Sequence, residues 1–545
     1  MPYRTVAALM LVLLLSGFGC ACSAALVAAS SVFESYSGTY PVVPSDIDYW
    51  SSPPVTVICG EDFAGRITVT FESGGDSATI RHQTYNTMLG VWVTTDTEEV
   101  KLDGVTTVTF EGTTIWFGTS ANNSYTHTAD TPLIAFGFAG NDTITGGDHK
   151  DFIYGGLGND TLSGGADGDW IWGGPGDDEL NGGAGNDYLH LGDGEDQTAK
   201  GGAGEDTIWG GPGNDTLCGK EADEDEEDGD GGDKDKIFTV GGNDNVWAGP
   251  GFDRIYVATY ANPVGLKKIV GGPGSDEIYL FGCEGYVYGD YASTQAEHWS
   301  YQGADIIYVY GSHQSLGYSI ICGEEADTVF NGGANADTMD GEDGNDEINA
   351  GGGNDKNGTE PGILGGDGDD LLWGNAGNDI IEGGKGNDQI WGGLGQDKLN
   401  GEDGNDRVAG DDGTDDAAGT GDDISGGADD DVIWAEGGAD TCYGNDGDDK
   451  LYGGLGADTL NGNAGHDTLV DWTSGVVDTL RGGDGDDTLD TYNSPNDNPT
   501  ADVIEGQGDA DRFYLNDQDV DDFSAFYDHF RDYTQNSGEQ PVALW

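Results

Sequence analysis

Basic side chains are scarce in this chain of 545 residues: 20 Lys and Arg stand against 102 Asp and Glu, a formal charge of −82. Such a surplus repels nucleic acid and anionic lipid and leaves cations as the natural partners. Long apolar runs are lacking too. The run Val6 to Leu15 is too short to span a bilayer as a mature helix, and it lies between Arg4 and the small-residue stretch Ser16 to Ala25. That order predicts a cleaved export signal over residues 1–24. Cys20, after Gly17, Phe18 and Gly19, is a weak candidate for a lipid anchor, because Phe18 is bulky where a small residue is expected.

Cysteine and histidine are equally sparse. Seven cysteines, two of them in the signal segment, leave Cys59, Cys218, Cys283, Cys322 and Cys442, an odd set that cannot all pair within one chain. Cys283 with Cys322 is a candidate pair, and Cys442 stands at an apolar position and reads as a small core residue. None of the eight histidines begins an HExxH helix, and no GxSxG elbow occurs, since GYSII (317–321) lacks the closing glycine. His82 and His127 read as surface imidazoles. Paired carboxylates are too abundant to diagnose a catalytic site.

What the chain does have is glycine, 98 residues of it, and aromatics in numbers that a disordered acidic chain lacks: 13 Trp, 24 Tyr and 17 Phe. The glycine is periodic. The stretch GGLGNDTLSGGADGDWIWGGPGDDELNGGAGND (155–187) reads G-G-x-G-x-D-x-U-x repeatedly, with U a large apolar residue. In a first array (134–219) the sixth position falls on Asp142, Asp151, Asp160, Asp169, Asp178, Asp187, Asp196, Asp206 and Asp215, with one residue added between Asp196 and Asp206. A second array (331–492) places it on Asp337, Asp346, Asp355, Asp370, Asp379, Asp388, Asp397, Asp406, Asp431, Asp440, Asp449, Asp458, Asp467 and Asp487.

Between the arrays lie an acidic loop (220–236) and a degenerate, decorated solenoid segment (237–330), in which Asp244, Asp253, Asp276, Asp305 and Asp327 are doubtful ligands. Residues 25–133 carry short β-branched runs such as RITVTF and TTVTF between turn residues and predict a β-rich module covering the first rung. Residues 493–545 form a C-terminal cap, where Phe523, Phe526, Tyr527 and Phe530 have helical spacing; a C-terminal export signal is the alternative reading.

Glycines at the first, second and fourth positions permit a tight turn of six residues, and the last three extend as a strand with U pointing inward. Two repeats then close one coil, and residues eighteen apart lie on neighbouring strands about 4.8 Å away. One apolar side chain per nine residues returns only a fraction of the entropy lost on ordering them. The aspartates would also stack as rows of like charge, so a cation must sit between them. Turn carbonyls and carboxylates suit calcium, with its flexible oxygen shell, better than magnesium; zinc is disfavoured because neither His nor Cys recurs with the period.

The copies GGLGNDTLS, GGAGNDYLH and GGKGNDQIW resemble the nonapeptide of the repeats-in-toxin, or hemolysin-type calcium-binding, family. The resemblance implies an all-β fold, right-handed parallel β-roll arrays with an N-terminal β-rich cap and a short C-terminal helical cap. It also implies multiple calcium ions on the sixth-position aspartates of the well-formed copies in both arrays, all of those named above except Asp196, with turn carbonyls from the glycine positions completing each shell. The N-terminal signal departs from typical members, which leave the cell by a one-step route without one, and weakens any inference to a toxin.

The seventh and ninth positions point outward and sort into two faces. One carries Phe152 and Tyr154, Trp170 and Trp172, Tyr188 and His190, Thr207 and Trp209, an aromatic ladder with two readings: rings stacked to stabilise neighbouring strands, or a surface for a glycan or protein ligand. The other carries Thr143, Thr145, Thr161, Ser163, Glu179 and Asn181. The functional expectation is an exported, non-catalytic calcium-binding adhesion or structural element; the alternative is a secreted hydrolase scaffolded by the repeats, with polysaccharide as its candidate substrate.

Overall fold

The protein's computed structural model describes residues 55–59, 66–71, 77–86, 91–102, 104–110, 112–195, 197–219, 234–240, 242–258, 266–281, 284–289, 304–310, 318–323, 325–330, 332, 336–411, 420–471, 476–491, 503–507, 511–514 and 532–533. The expected signal segment, Cys20, most of the acidic loop and the C-terminal aromatic helix lie outside them. Among the described residues every regular element is a β-strand. The chain divides into two compact units, residues 1–223, 233–245 and 259–264, and residues 224–232, 246–258 and 265–545.

In the first unit each coil contributes one strand to each of two parallel sheets. Phe152–Leu157 pairs with Leu133–Ala139 on one side and Trp170–Trp172 on the other, while Thr161–Ala166 pairs with Thr143–Thr145 and Glu179–Ala184. Register follows the predicted step: Ile153 faces Ile171, and Leu162 faces Leu180, eighteen residues on. The inward side chains Ile144, Leu162, Leu180, Ile153, Ile171 and Leu189 are at most 1% exposed and form the thin core that one apolar residue per repeat can supply.

Strands are longer than three residues where the turn allows. Thr161–Ala166 runs on through both leading glycines, so the true bend is confined to the next few positions. Coiling also starts before the first recognisable repeat, because Thr113–Phe117 and Ser124–Thr126 already pair in parallel with Leu133–Ala139 and Thr143–Thr145.

The second unit has the same architecture. Parallel pairing runs through the decorated segment, Arg254–Ala258 to Glu277–Phe281 to Ile306–Tyr310, and on through Lys450–Tyr452, Thr468–Val470 and Thr488–Asp490. An antiparallel pair, Lys356–Asn357 with Glu360–Pro361, interrupts the expected regularity of the second array as a side excursion.

The N-terminal module is a four-stranded antiparallel sheet, Val55–Cys59, Arg66–Phe71, Ser77–Asn86 and Val91–Lys101. Alternation along RITVTF sends Ile67, Val69 and Phe71 to one side. There they join Ala78, Ile80 and Val100 in one apolar cluster with Phe136, Phe138, Phe152, Tyr154 and Trp172 of the coil, and Phe71 packs edge-on against Phe136 at 5.2 Å.

Candidate metal centres

Each turn places its aspartate two residues before the inward apolar side chain. There the carboxylate points back under the turn. All of the aspartates proposed as ligands in the two arrays are buried: Asp160, for instance, is 1% exposed and Asp388 0%; Asp196 lies outside the described residues. The two carboxylate oxygens have different tasks. Oδ1 accepts a hydrogen bond from the backbone N–H of the corresponding aspartate one coil earlier: Asp142 N–H donates to Asp160 at 2.7 Å, Asp160 N–H to Asp178 at 2.8 Å, and Asp151 N–H to Asp169 at 2.7 Å. In the second unit one such chain runs unbroken from Asp253 through Asp276, Asp305, Asp327, Asp346, Asp370, Asp388, Asp406, Asp431, Asp449, Asp467 and Asp487 to Asp511.

Oδ2 is buried without a hydrogen-bond partner in Asp142, Asp160, Asp169, Asp178, Asp187, Asp346, Asp355, Asp370, Asp379, Asp388, Asp397, Asp406, Asp431, Asp440, Asp449, Asp467 and Asp487. Asp151 differs, since its Oδ2 accepts from Gly147 N–H at 2.7 Å. In the turn Gly155 to Asp160, a Cβ built on Gly155 would fall on Asp160 Oδ2 and lie 2.9 Å from the carbonyl oxygen of Gly173 in the next coil. The missing side chain therefore leaves a cradle bounded by a carboxylate oxygen and a carbonyl oxygen, all acceptors.

Burial pushes these carboxyls upward: Asp142 to about 6, Asp160 to about 8, Asp169 to about 9 and Asp346 to about 8, with neighbouring carboxylates in the row adding to the effect at the last three and the N–H donors opposing it. A buried charge with no counter-charge is costly, and acceptor-only cradles repeated along a row ask for a hard cation. The donor set fits calcium: oxygen ligands of mixed type in a flexible turn, with no recurrent nitrogen or sulfur.

A parallel β-solenoid with a buried carboxylate in nearly every turn is the frame of a multi-site cation-binding protein. The model of the RTX calcium-binding nonapeptide repeat, built of four copies, matches residues 135–162, 163–197, 192–222, 230–257, 323–356, 364–399, 386–417, 416–451, 443–469 and 473–493, together more than half of the chain. The chain belongs to this family, and its repeats bind calcium at multiple sites. No curated protein matches it significantly.

One turn departs from the sequence reading. Leu180 faces Ala199, so the residue in register with Asp178 is Gln197, and the extra residue of this coil lies before it, not after Asp196. Gln197 is fully buried and its amide donates to Gly176 O at 2.9 Å, while Leu191, also fully buried, stands where the turn's first glycine would be. Both halves of the cradle have changed together.

Other positions were missed or doubted. Asp244, Asp253, Asp276, Asp305 and Asp327 occupy the same buried place as the regular aspartates, as do Asp235, Asp422, Asp478 and Asp511. The signal that finds the last four is local: D-x-U alone, as in Asp235–Lys236–Ile237 and Asp422–Asp423–Ile424, where the G-G-x-G run ahead of the aspartate is incomplete or interrupted. At Asp244 the cradle is filled, because Thr239 takes the glycine position and its hydroxyl donates to Asp244 Oδ2.

The predicted aromatic face is only partly a surface. The rows are as sorted, Phe152, Trp170 and Tyr188 in one and Tyr154, Trp172, His190 and Trp209 in the other. Yet Phe152, Tyr154 and Trp172 are buried beneath the N-terminal sheet, with Trp170 and Tyr188 packed against the same cluster. Beyond it the rings stack on one another: Trp209 on Phe238 at 4.1 Å in the first unit, and Tyr256, Tyr279 and Tyr308 at 4.8 Å intervals in the second. Stacked rings cover each other's faces and present edges, which is the strand-stabilising use of an aromatic row and a poor platform for a sugar ring. His127 is buried, not a surface imidazole; its Nε2–H donates to Thr131 O at 2.6 Å and Nδ1 accepts from Tyr125 Oη at 3.2 Å.

Proposed function

We propose that the protein is an exported, non-catalytic element of a cell surface or extracellular matrix that folds when it meets calcium outside the cell. The observation that carries this reading is the row of buried carboxylate oxygens without a donor: at neutral pH the chain has a strong reason to remain open until a divalent cation arrives. Low calcium inside a cell and millimolar calcium outside would make the ion a signal of location. The large negative charge and the repeated coils suit a stiff spacer or adhesion segment. Within this reading the sixth-position aspartates of both arrays and their turn carbonyls hold the ions, and the residues supply position and charge, with no bond made or broken.

The test is far-UV circular dichroism of the chain lacking residues 1–24, titrated with calcium from EDTA, with magnesium in parallel. Cooperative gain of β signal with calcium alone supports the reading. A β spectrum indifferent to both ions, in protein that metal analysis finds free of calcium, overturns it. Turnover of any member of a glycan panel would replace the non-catalytic part with the hydrolase reading.

A further inference from the structure

The stacked aromatic row of the second unit is interrupted. Tyr256, Tyr279, Tyr308 and Phe330 follow one another rung by rung, and Trp373 and Trp391 continue the same line. Between them stands Asn349: it faces Trp373 on one side, and the pairing of Thr328 with Glu347 and Val329 with Ile348 sets it against Phe330 on the other. Phe330 stacks on Tyr308 at 5.2 Å and Trp373 on Trp391 at 5.2 Å, so each ring has one face covered. Their other faces look toward the gap, two rungs or about 9.6 Å apart. Asn349 Oδ1 accepts from Asn375 Nδ2 at 3.1 Å, which ties the short side chain down to the neighbouring coil as the floor of a slot. Phe330 is 41% exposed, so the slot opens to solvent.

Two ring faces at this spacing admit a flat ring, a sugar or a cation, and two further observations choose among them. Glu347 stands at the seventh position beside Asn349, exposed and without an ion-pair partner among the described residues, while Thr328 and Leu371 on either side of it carry no charge. Aromatic faces are themselves electronegative, and the chain as a whole has a charge of −82. The second observation is a slot of the same construction that the chain fills from within. On the other sheet, strand Leu266–Val270 lies between the strands of Trp247 and Tyr288, and Val270, which faces Tyr288, takes the place of the missing ring. Lys268, two residues before Val270, brings its Nζ over both rings, 5.4 Å from the centre of Trp247 and 5.7 Å from that of Tyr288. Such a gap accepts an alkylammonium group. At Asn349 the position that would supply the cation holds Glu347, so the cation has to come from outside.

We infer that the slot between Phe330 and Trp373, with Glu347 at its edge, binds the ammonium group of a lysine side chain presented by a partner polypeptide. A cation midway between the rings is about 4.8 Å from each, inside the roughly 6 Å reach of a cation–aromatic contact. Glu347 supplies the counter-charge, and the field of the acidic chain draws a basic partner in. A third gap provides the contrast: Ala409 lies between Trp391 and Trp434, but Arg407 stands at its seventh position and opposes a cationic guest.

The experiment is ligand-observed saturation-transfer NMR on the full chain saturated with calcium, titrated with the peptide acetyl-Gly-Lys-Gly-amide and with its uncharged norleucine counterpart. The lysine peptide is expected to bind and the norleucine peptide to bind at least about fivefold more weakly. Trp373→Leu and Phe330→Leu should each weaken the lysine peptide by about fivefold. Glu347→Gln should weaken it by about two- to threefold, a difference that shrinks in high salt. Trp434→Leu, beside Arg407, should leave its affinity unchanged. Glu347→Lys, which puts an ammonium where Lys268 has one, should fill the slot and abolish binding. Equal affinity of the two peptides, absence of lysine-peptide binding, or affinity unmoved by both ring variants overturns the inference. Choline bound in preference to the lysine peptide overturns the polypeptide source and replaces it with a small quaternary ammonium. Circular dichroism checks the β fold of each variant, and should a ring variant lose it, the exposed changes Glu347→Gln and Glu347→Lys decide the outcome. None of these results bears on whether the repeats fold on calcium, which the titration from EDTA tests separately.

Discussion

At the scale of single residues, glycine and aspartate are halves of one device. Gly155 has no side chain because Asp160 Oδ2 stands in the space a Cβ would take, and Gly156, at φ +118°, lies in backbone territory that disfavours a side chain. Gly155→Ala is expected to cost roughly 1–3 kcal/mol of calcium-saturated stability through overpacking and to lower the number of bound ions by one. Gly104→Ala, where a Cβ would meet nothing within 4 Å, is the control. Thermal melts and ion counting on both variants check this, and equal ion counts would remove the cradle from the account. The reverse engineering is possible at Leu191 and Gln197: the double change Leu191→Gly and Gln197→Asp should add one ion. The sequence made the regular aspartates legible because type and spacing repeat. It misplaced Gln197 because a one-residue insertion can be drawn on either side of a turn, and only the facing of Leu180 with Ala199 decides.

At the scale of the element, the turn holds two hydrogen-bonded chains running in opposite senses. The buried one passes from each aspartate N–H forward to the next coil's carboxylate. The exposed one uses the fifth position, whose side chain accepts from the corresponding N–H of the following coil: Asn405 N–H donates to Asn387 at 3.1 Å, and Asn387 N–H to Asp369 at 2.7 Å. This explains the frequency of Asn at that position without any external ligand. Asn387→Ala should therefore lower calcium-saturated stability by about 0.5–1.5 kcal/mol and leave the ion count unchanged, as melts and metal analysis would show. A lost ion would mean that the exposed chain belongs to the metal site. Strand identity and face were readable from the period. That the N-terminal sheet covers Tyr154 and Trp172 was not, because alternation tells which side of a strand is apolar and not what it meets.

At the scale of the whole molecule, the buried carboxyls link stability to proton concentration. Their folded values lie above the unfolded value of 3.8, with Asp142 near 6, Asp160 near 8 and Asp169 near 9. Between these limits the metal-free folded chain binds more protons than the unfolded one, so its stability is greatest at acid pH and falls as pH rises through the folded values. In chelator, β signal should therefore increase as the pH is lowered from about 8 to about 5. Calcium must displace those protons, so the calcium midpoint should rise as the pH falls. Titrations followed by circular dichroism at both pH values test this, and a midpoint that does not move would mean that the carboxyls are ionised before the ion arrives. Nothing in the period alone gives the size of this linkage, which depends on how completely the coil removes each carboxylate from water.

The aspartate chain holds its hydrogen-bond lengths while the sequence between successive members varies. Asp370 to Asp388 is spanned at 2.8 Å with 18 residues, Asp346 to Asp370 at 2.8 Å with 24, and Asp276 to Asp305 at 2.7 Å with 29. The fold thus keeps count of coils and is indifferent to the length of the outward excursions. Foreign peptides spliced between Asn357 and Glu360 would be displayed at the rim without altering the rise from one rung to the next, which makes the protein a ruler on which passengers can be hung at chosen marks.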